Sequence, residues 1–265
     1  MDFEQLQTVR VTRTGGVATL LLNRPERLNA YTLQMGAEIY QSIEALDRDD
    51  EVRAIVVPGQ GRAFCAGMDL DGGGETFGAD AAWERTRALE KRVRPWNIGT
   101  PIIAAINGPA VGIGATLPLH FDIRIAGEAA RFGYVFTRIG ITPELASTWI
   151  LPRWIGASKA MELLLTGRII DAAEALDCGL VSRVVPDAEL QTTAHEIAAD
   201  IAANTAPLSV AITKRLVWRQ LMEPNVVQAK RDEDELFDFI GKQADAAEGV
   251  RAFLEKRPPA WSLSA

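Results

Sequence analysis

Two glycine-centred loops offer the clearest chemistry in the sequence. One is Gly61-Arg62-Ala63-Phe64-Cys65-Ala66-Gly67-Met68-Asp69-Leu70, and the other is Ile106-Asn107-Gly108-Pro109-Ala110-Val111-Gly112-Ile113-Gly114-Ala115. Each follows a short apolar run. Glycine lets backbone approach a ligand closely, and amides near a following helix start can face an anion or a developing oxyanion. Tight turns after buried strands use the same residues, so the loops alone leave both readings open. A dinucleotide fingerprint does not fit. Gly112 and Gly114 supply its first two glycines, but Leu117 stands where the third belongs and Pro118 interrupts the helix that should follow.

Few side chains compete for a chemical role. Thr142-Pro143-Glu144 reads as an N-cap, a first helical residue and a first-turn acid, where Glu144 would complement the helix dipole. Cys65 has no adjacent histidine or acid in sequence and reads as a small buried residue rather than a nucleophile. His120, near Asp122, reads as a structural histidine. Ser147 lacks the setting of a nucleophile elbow, which argues against a serine hydrolase. Trp149 and Trp154 read as packing residues that could also line a pocket, and Lys230 to Glu235 as a solvated helix face.

Composition narrows the classes. The 265 residues carry 28 Lys+Arg against 35 Asp+Glu, a net charge of −7. That argues against nucleic acid as the main partner while leaving room for a local basic patch around a small phosphorylated ligand. A hydrophobic share of 48% with 24% charged residues suits a soluble globular chain of one large domain or two small ones. No apolar run is long enough to span a bilayer, and Met1-Asp2-Phe3-Glu4 lacks the order of a signal peptide, so no membrane partner and a cytoplasmic location are expected. Two cysteines (Cys65, Cys178) and two histidines (His120, His195) speak against a disulfide scaffold and a zinc cluster, and no metal site is expected.

The elements that must hold the loops follow from periodicity. Thr8 to Arg13 and Val17 to Leu22, joined by Gly15-Gly16, predict a hairpin. Thr32 to Asp47 has a helical period with Thr32 as N-cap. Arg53 to Val57, Pro101 to Ile106, Ile123 to Ala126 and Arg131 to Tyr134 predict strands, with a helix over Ala81 to Trp96. Pro143 to Trp154, Ser158 to Leu165 and Asp171 to Leu176 predict short helices, and Val181 to Val185 an extended piece. Four longer amphipathic helices follow: Asp187 to Asn204, Pro207 to Leu221, Asn225 to Ile240 and Asp245 to Lys256. Alternating strand and helix, then nearly all helix, predicts an α/β core with a helical C-terminal region rather than one doubly wound sheet.

Taken with these elements, the motifs resemble the crotonase (enoyl-CoA hydratase/isomerase) superfamily. The resemblance runs from Asn23-Arg24-Pro25-Glu26-Arg27-Leu28-Asn29-Ala30 through the two loops to Leu165-Thr166-Gly167-Arg168, Ala175 to Val181, and Glu248-Gly249 to Lys256-Arg257. It implies an α/β, ClpP/crotonase-like fold of repeated ββα-type units, with a core over residues 1–195 and a helical region over 196–265 for oligomerisation and active-site closure. It also implies a homotrimer or homohexamer that binds an acyl-CoA thioester, with coenzyme A as part of the substrate and no separate cofactor.

By register, the resemblance makes the amides of Met68 and Ile113 the donors to the thioester oxygen, where removing one such donor typically costs about 10²–10³ in rate. It lays Met68, Asp69, Leu70 and Asp71 along coenzyme A, with Asp69 bracing its loop, and adds Ala66, Gly112 and Phe136 to the acyl site. Arg24 and Arg27 are candidate phosphate contacts, as are Lys256 and Arg257, the latter pair reaching a neighbouring subunit. The sequence departs from the hydratase pattern at both catalytic glutamates, whose positions hold Thr116 and Phe136. A third position, which carries a carboxylate in some isomerases and in the dehalogenase branch, holds Glu144. The implied activity is proton transfer on an enoyl-CoA thioester with Glu144 as base, isomerisation favoured over hydration. The alternatives are an enoyl-CoA hydratase and a non-catalytic acyl-CoA-binding protein.

Overall fold

The chain opens with β1 (Val9–Thr14) and β2 (Val17–Leu22), paired antiparallel about Gly15, which adopts the left-handed φ of 58° that the tight turn needs. The computed structural model describes residues 1–71, 73, 88, 91, 93, 94 and 97–262. After the hairpin comes α1 (Leu33–Asp47), capped as expected by the Thr32 hydroxyl, which accepts from the Met35 amide at 3.1 Å. Its Met35, Ile39, Ile43 and Leu46 recur at helical spacing and are fully buried. The next strands, β3 (Ala54–Pro58) and β4 (Ile102–Ile106), are buried at every position, which explains their unbroken apolar runs. The helix expected over Ala81–Trp96 falls almost wholly outside the described residues.

Beyond β4 the chain alternates between two sheets. β5 (Pro109–Val111) and the one-turn α2 (Ile113–Thr116) precede β6 (Ile123–Gly127) and β7 (Arg131–Gly133). Then come α3 (Ser147–Ile155), α4 (Ala157–Thr166), β8 (Ile169–Asp171), α5 (Ala172–Asp177) and β9 (Arg183–Val185). One sheet has the order β1-β2-β3-β4-β6-β9, parallel apart from β1, and the other has the order β5-β7-β8. In β4–β5 and again in β6–β7, the first strand joins the large sheet and the second the small one. These pairs are the repeated strand–strand–helix units that were expected.

The large sheet separates two apolar layers by the alternation of its side chains. Ile55, Val57, Ile102, Ala104 and Ile106 face the larger cluster, with α1 and the short helices. Ala54, Val56, Ile103 and Ala105 face the other, where they meet α6 (Leu190–Asn204). The boundary expected at residue 195 lies within this helix. Leu190 and Ala194 before it share one cluster with Ala198 after it, because all three line the helix stripe that covers the sheet. His195 points from the same helix to the Thr19 hydroxyl, with Nε2 at 2.9 Å.

The last helices are α7 (Pro207–Gln220), α8 (Val226–Gly241) and α9 (Ala244–Glu255). α7 is pinned to the sheet by Lys214, whose Nζ lies 2.8 Å from Asp122 Oδ2 and donates to the Thr100 carbonyl at 3.0 Å. Asp122 also accepts from the Ile102 amide at 2.7 Å, so the pair spans α7, β4 and the start of β6. α8 and α9 keep large apolar side chains in solvent, among them Phe237 at 79% and Phe253 at 82% exposure. Among the described residues no helix is long and apolar enough to cross a membrane.

Lys214 is buried, so removing its charge strands the Asp122 carboxylate in a poorly hydrated place. Lys214→Met is expected to lower the unfolding free energy by about 3 kcal/mol, measured as a shift of the urea midpoint at constant m-value.

Candidate active site

The two glycine-centred loops meet backbone to backbone. The Cys65 amide donates to the Pro109 carbonyl and the Val111 amide to the Cys65 carbonyl, both at 3.0 Å. On its other side the first loop pairs with residues 28–31: the Ala66 amide donates to Leu28 O (3.0 Å), the Tyr31 amide to Gly67 O (2.7 Å) and the Asp69 amide to Tyr31 O (2.8 Å). Two asparagines satisfy the carbonyls left over. Buried Asn29, in the left-handed region at φ 54°, donates through Nδ2 to Gln60 O (2.9 Å) and Ala63 O (2.8 Å) and accepts from the Arg24 amide (2.8 Å). Asn107 donates to Gly61 O at 2.8 Å and accepts from the Gly59 amide at 3.1 Å.

Sterics then fix the glycines. A Cβ at Gly108 would run into the Arg62 carbonyl oxygen, and one at Gly114 into that of Cys65. Gly112 takes φ 56°, and a Cβ there would lie 3.8 Å from the Gly67 Cα. The peptides that follow Gly67 and Gly112 therefore belong to touching turns. Their amides, those of Met68 and Ile113, have no hydrogen-bond partner among the described residues. For Ile113 this follows from its place as the first residue of α2, where no intrahelical acceptor exists.

Glu144 reaches the same neighbourhood by an unexpected route. The helix expected from Pro143 begins at Ser147 instead. Pro143 disfavours helical geometry at Thr142, and Leu145 and Ala146 both take left-handed backbone, φ 52° and 53°. Non-glycine residues held there cost about 1–2 kcal/mol each. The turn is held from outside: His120 Nε2 lies 2.7 Å from the Leu145 carbonyl, so that nitrogen carries the proton. Burial pushes the His120 pKa down, which keeps the ring neutral. Glu144 is thus not a first-turn acid, and helix-dipole complementation loses its geometry. Its half-buried carboxylate instead accepts a hydrogen bond from the hydroxyl of Thr116, which is fully buried on α2.

The other candidates divide into those brought to the loops and those that are not. Phe136 is 4% exposed, in a 3-10 turn over Val135–Ile139 that leads to Glu144. Ala66 and Met68 are half-buried, and Leu70 is exposed. Asp69 pairs with Arg24 at 2.9 Å and braces its loop. Burial pushes its carboxyl up, and the hydrogen bonds from Arg24 and the Asp71 amide, with the charges of Arg24 and Arg27, together more than offset this, leaving it below the usual range. Exposed Arg27 pairs with Asp71 and, at 3.6 Å, with Asp69. Lys256 is an exposed left-handed cap ending α9, and among the described residues it forms no hydrogen bond or ion pair with the loops. Cys65 is 2% exposed, and burial pushes its thiol up to about 11, unsuited to nucleophilic work. Trp154 packs edge-on to Trp218 at 5.8 Å, and Trp149 lies beneath the Arg153 guanidinium at 3.7 Å.

The sequence reading missed the link from Thr116 to Glu144 and the hold of His120 on Leu145. The signal available was slight: Thr116 and His120 stand close in sequence on either side of Pro118.

This fold and these loops define a crotonase, and comparison makes the family specific. Residues 12–263 match the enoyl-CoA hydratase/isomerase family model, and the chain belongs to that family of enzymes. It is 39% identical over 245 residues to an enoyl-CoA hydratase of Alternaria alternata, covering 92% of this chain and 82% of the relative. It is 37% identical over 254 residues to the 1,2-epoxyphenylacetyl-CoA isomerase of Escherichia coli strain K12, covering 93% and 95%. Among solved structures, an enoyl-CoA hydratase from Bacillus anthracis superposes with a TM-score of 0.87 at 34% identity, covering 96% of this chain and 99% of that one.

The close approach of the loops yields a stability test. Gly114→Ala adds a methyl group against a backbone carbonyl that has nowhere to retreat. It is expected to cost about 3 kcal/mol, read from denaturant unfolding, with a larger loss than Gly241→Ala, whose surroundings are open.

Proposed function

We propose that the protein is a cytoplasmic enoyl-CoA isomerase, moving a double bond by proton transfer on an acyl-CoA thioester. The observation that carries this reading is one carboxylate, Glu144, hydrogen-bonded to Thr116 beside two adjacent turns whose amides have no partner among the described residues. The amides of Met68 and Ile113 receive the thioester oxygen, and as charge builds there the α-proton becomes acidic. Glu144 takes that proton from Cα of a 3-enoyl thioester, leaving a dienolate, and returns it to Cγ. The double bond then lies between Cα and Cβ, and the carboxylate is regenerated. Hydration requires in addition a held water, and the positions resembling the two hydratase glutamates carry a neutral hydroxyl and a buried phenyl ring. A hydratase reading draws support from the relatives so named, with Glu144 then acting on water.

Coenzyme A would lie along Met68 to Asp71, with Ala66 and Gly112 beneath the acyl group and Phe136 against it. Arg27 would meet its phosphates, joined by Lys256 from a neighbouring subunit. That neighbour is proposed from the apolar faces of α8 and α9, where Phe237, Phe253 and Leu254 are left in solvent. They suit a homotrimer or two stacked trimers.

Glu144→Gln tests the chemistry. Conversion of 3-enoyl-CoA to the conjugated 2-enoyl thioester, followed by absorbance, is expected to fall by about 10²–10⁴, with acyl-CoA binding kept. An unchanged rate overturns the role of Glu144. A parent that hydrates 2-enoyl-CoA faster than it isomerises 3-enoyl-CoA establishes the hydratase reading, and one that binds acyl-CoA chains of every length without converting them establishes a binder. Phe253→Asp is expected to shift the light-scattering mass from trimer toward monomer.

A further inference from the structure

Several features outside the proposed chemistry carry little. In the cleft between Asp47–Arg53 and Thr205–Val210, Asp47 and Asp49 are already bonded to backbone amides or to Arg13. Cys178 is half-buried and bonded to its own helix. The contact between α2 and Glu144 carries further.

We propose that Thr116 is the positioning residue for Glu144, its hydroxyl fixing the carboxylate relative to the Ile113 amide. This rests on the reading of Glu144 as the base. Thr116 and Ile113 are the last and first residues of α2, one helical turn apart, about 4.5 Å along the axis. That is the scale of the few bonds between a thioester oxygen and its α and γ carbons. The Thr116 hydroxyl has one proton and two acceptors in range. The Ile113 carbonyl is distant at 3.4 Å, and the carboxylate is the closer and charged acceptor, so the proton is committed to Glu144.

The backbone around Glu144 cannot do this work. Residues 141–144 belong to no helix or strand, and α3 begins only at Ser147, whose amide donates back to the Glu144 carbonyl at 3.0 Å. The left-handed pair at Leu145 and Ala146 is held by His120, four residues beyond Thr116 on the same segment. Residues 113, 116 and 120 thus present one donor amide and two clamps, one on the base and one on the turn that carries it. Packing of Gly114 against the Cys65 carbonyl sets this segment against the first loop.

Three variants separate the hydroxyl from the space it fills. Thr116→Ala and Thr116→Ser both lose the methyl group, and only the second keeps the hydroxyl. Thr116→Val keeps the shape without the hydroxyl. Isomerisation kinetics and exchange of the substrate α-proton with solvent deuterium are measured for each, alongside the melting temperature. The expected result is a fall in kcat and exchange of about 10–100-fold for Ala and Val, with KM within about twofold, and recovery to within about threefold by Ser. Thr116→Ala added to Glu144→Gln is expected to cost nothing more, since the hydroxyl acts through the carboxylate. Parent-like kcat in Ala and Val overturns the proposal. So does a loss that Ser shares equally with Ala, or one carried by KM and melting temperature alone. Glu144→Gln turning over at the parent rate overturns the base assignment, and this proposal with it. An inert Glu144→Gln beside an active Thr116→Val overturns the positioning role alone.

Discussion

The rest of the site depends on the backbone pairing of Cys65 with Pro109 and Val111. These bonds join loops that follow neighbouring strands β3 and β4 but turn away from the large sheet. They exist only because no Cβ stands at positions 108 and 114. Once the loops are locked, the turns at Gly67 and Gly112 lie side by side, and the amides after them have no acceptor among the described residues. An amide donor left without a partner is costly where water is excluded, as at buried Ile113. On the proposed reading, a ligand oxygen supplies the acceptor that these amides lack.

The surrounding residues serve that pairing. Asn29 and Asn107 take up the carbonyls and amides at residues 59–63 that the strands no longer satisfy. Both strands below are buried on two faces, so the platform under the loops is dry and rigid. The cover of the opposite face, α6, is continuous across residue 195. The helical C-terminal region therefore begins as part of the core and becomes separable only at α8 and α9, whose apolar faces are the ones still in solvent.

What the sequence disclosed followed from local physics. Continuous apolar runs gave β3 and β4, the Thr32 cap gave the start of α1, and the glycine spacing gave both loops. The three-residue strands β5 and β8 went unread and β9 was set two residues too long, because pieces so short have no period of their own and are defined by their partners. Thr142-Pro143-Glu144 misled for a related reason. Its composition suits a helix start, but the deciding contact is with His120, more than twenty residues earlier, and composition holds no record of it. The same distance hid the bond from Thr116 to Glu144. Reading Thr116 as the mere absence of a glutamate missed that its hydroxyl meets the Glu144 carboxylate.

That substitution has an electrostatic logic. The side chain at position 116 lies within hydrogen-bond reach of the Glu144 carboxylate. A glutamate at 116 would set two carboxylates against each other in a partly buried place. One of them would then hold a proton well above its ordinary range, as like charges in contact cannot both ionise. The pair would titrate as a unit. A threonine removes the competing charge and turns the contact from repulsive to attractive, because a hydroxyl donates where a carboxylate could only accept or share a proton. On this geometry an acid at 116 and an independent base at 144 exclude each other. On the proposed reading the conflict is resolved in favour of Glu144, with Thr116 as its hydrogen-bond donor.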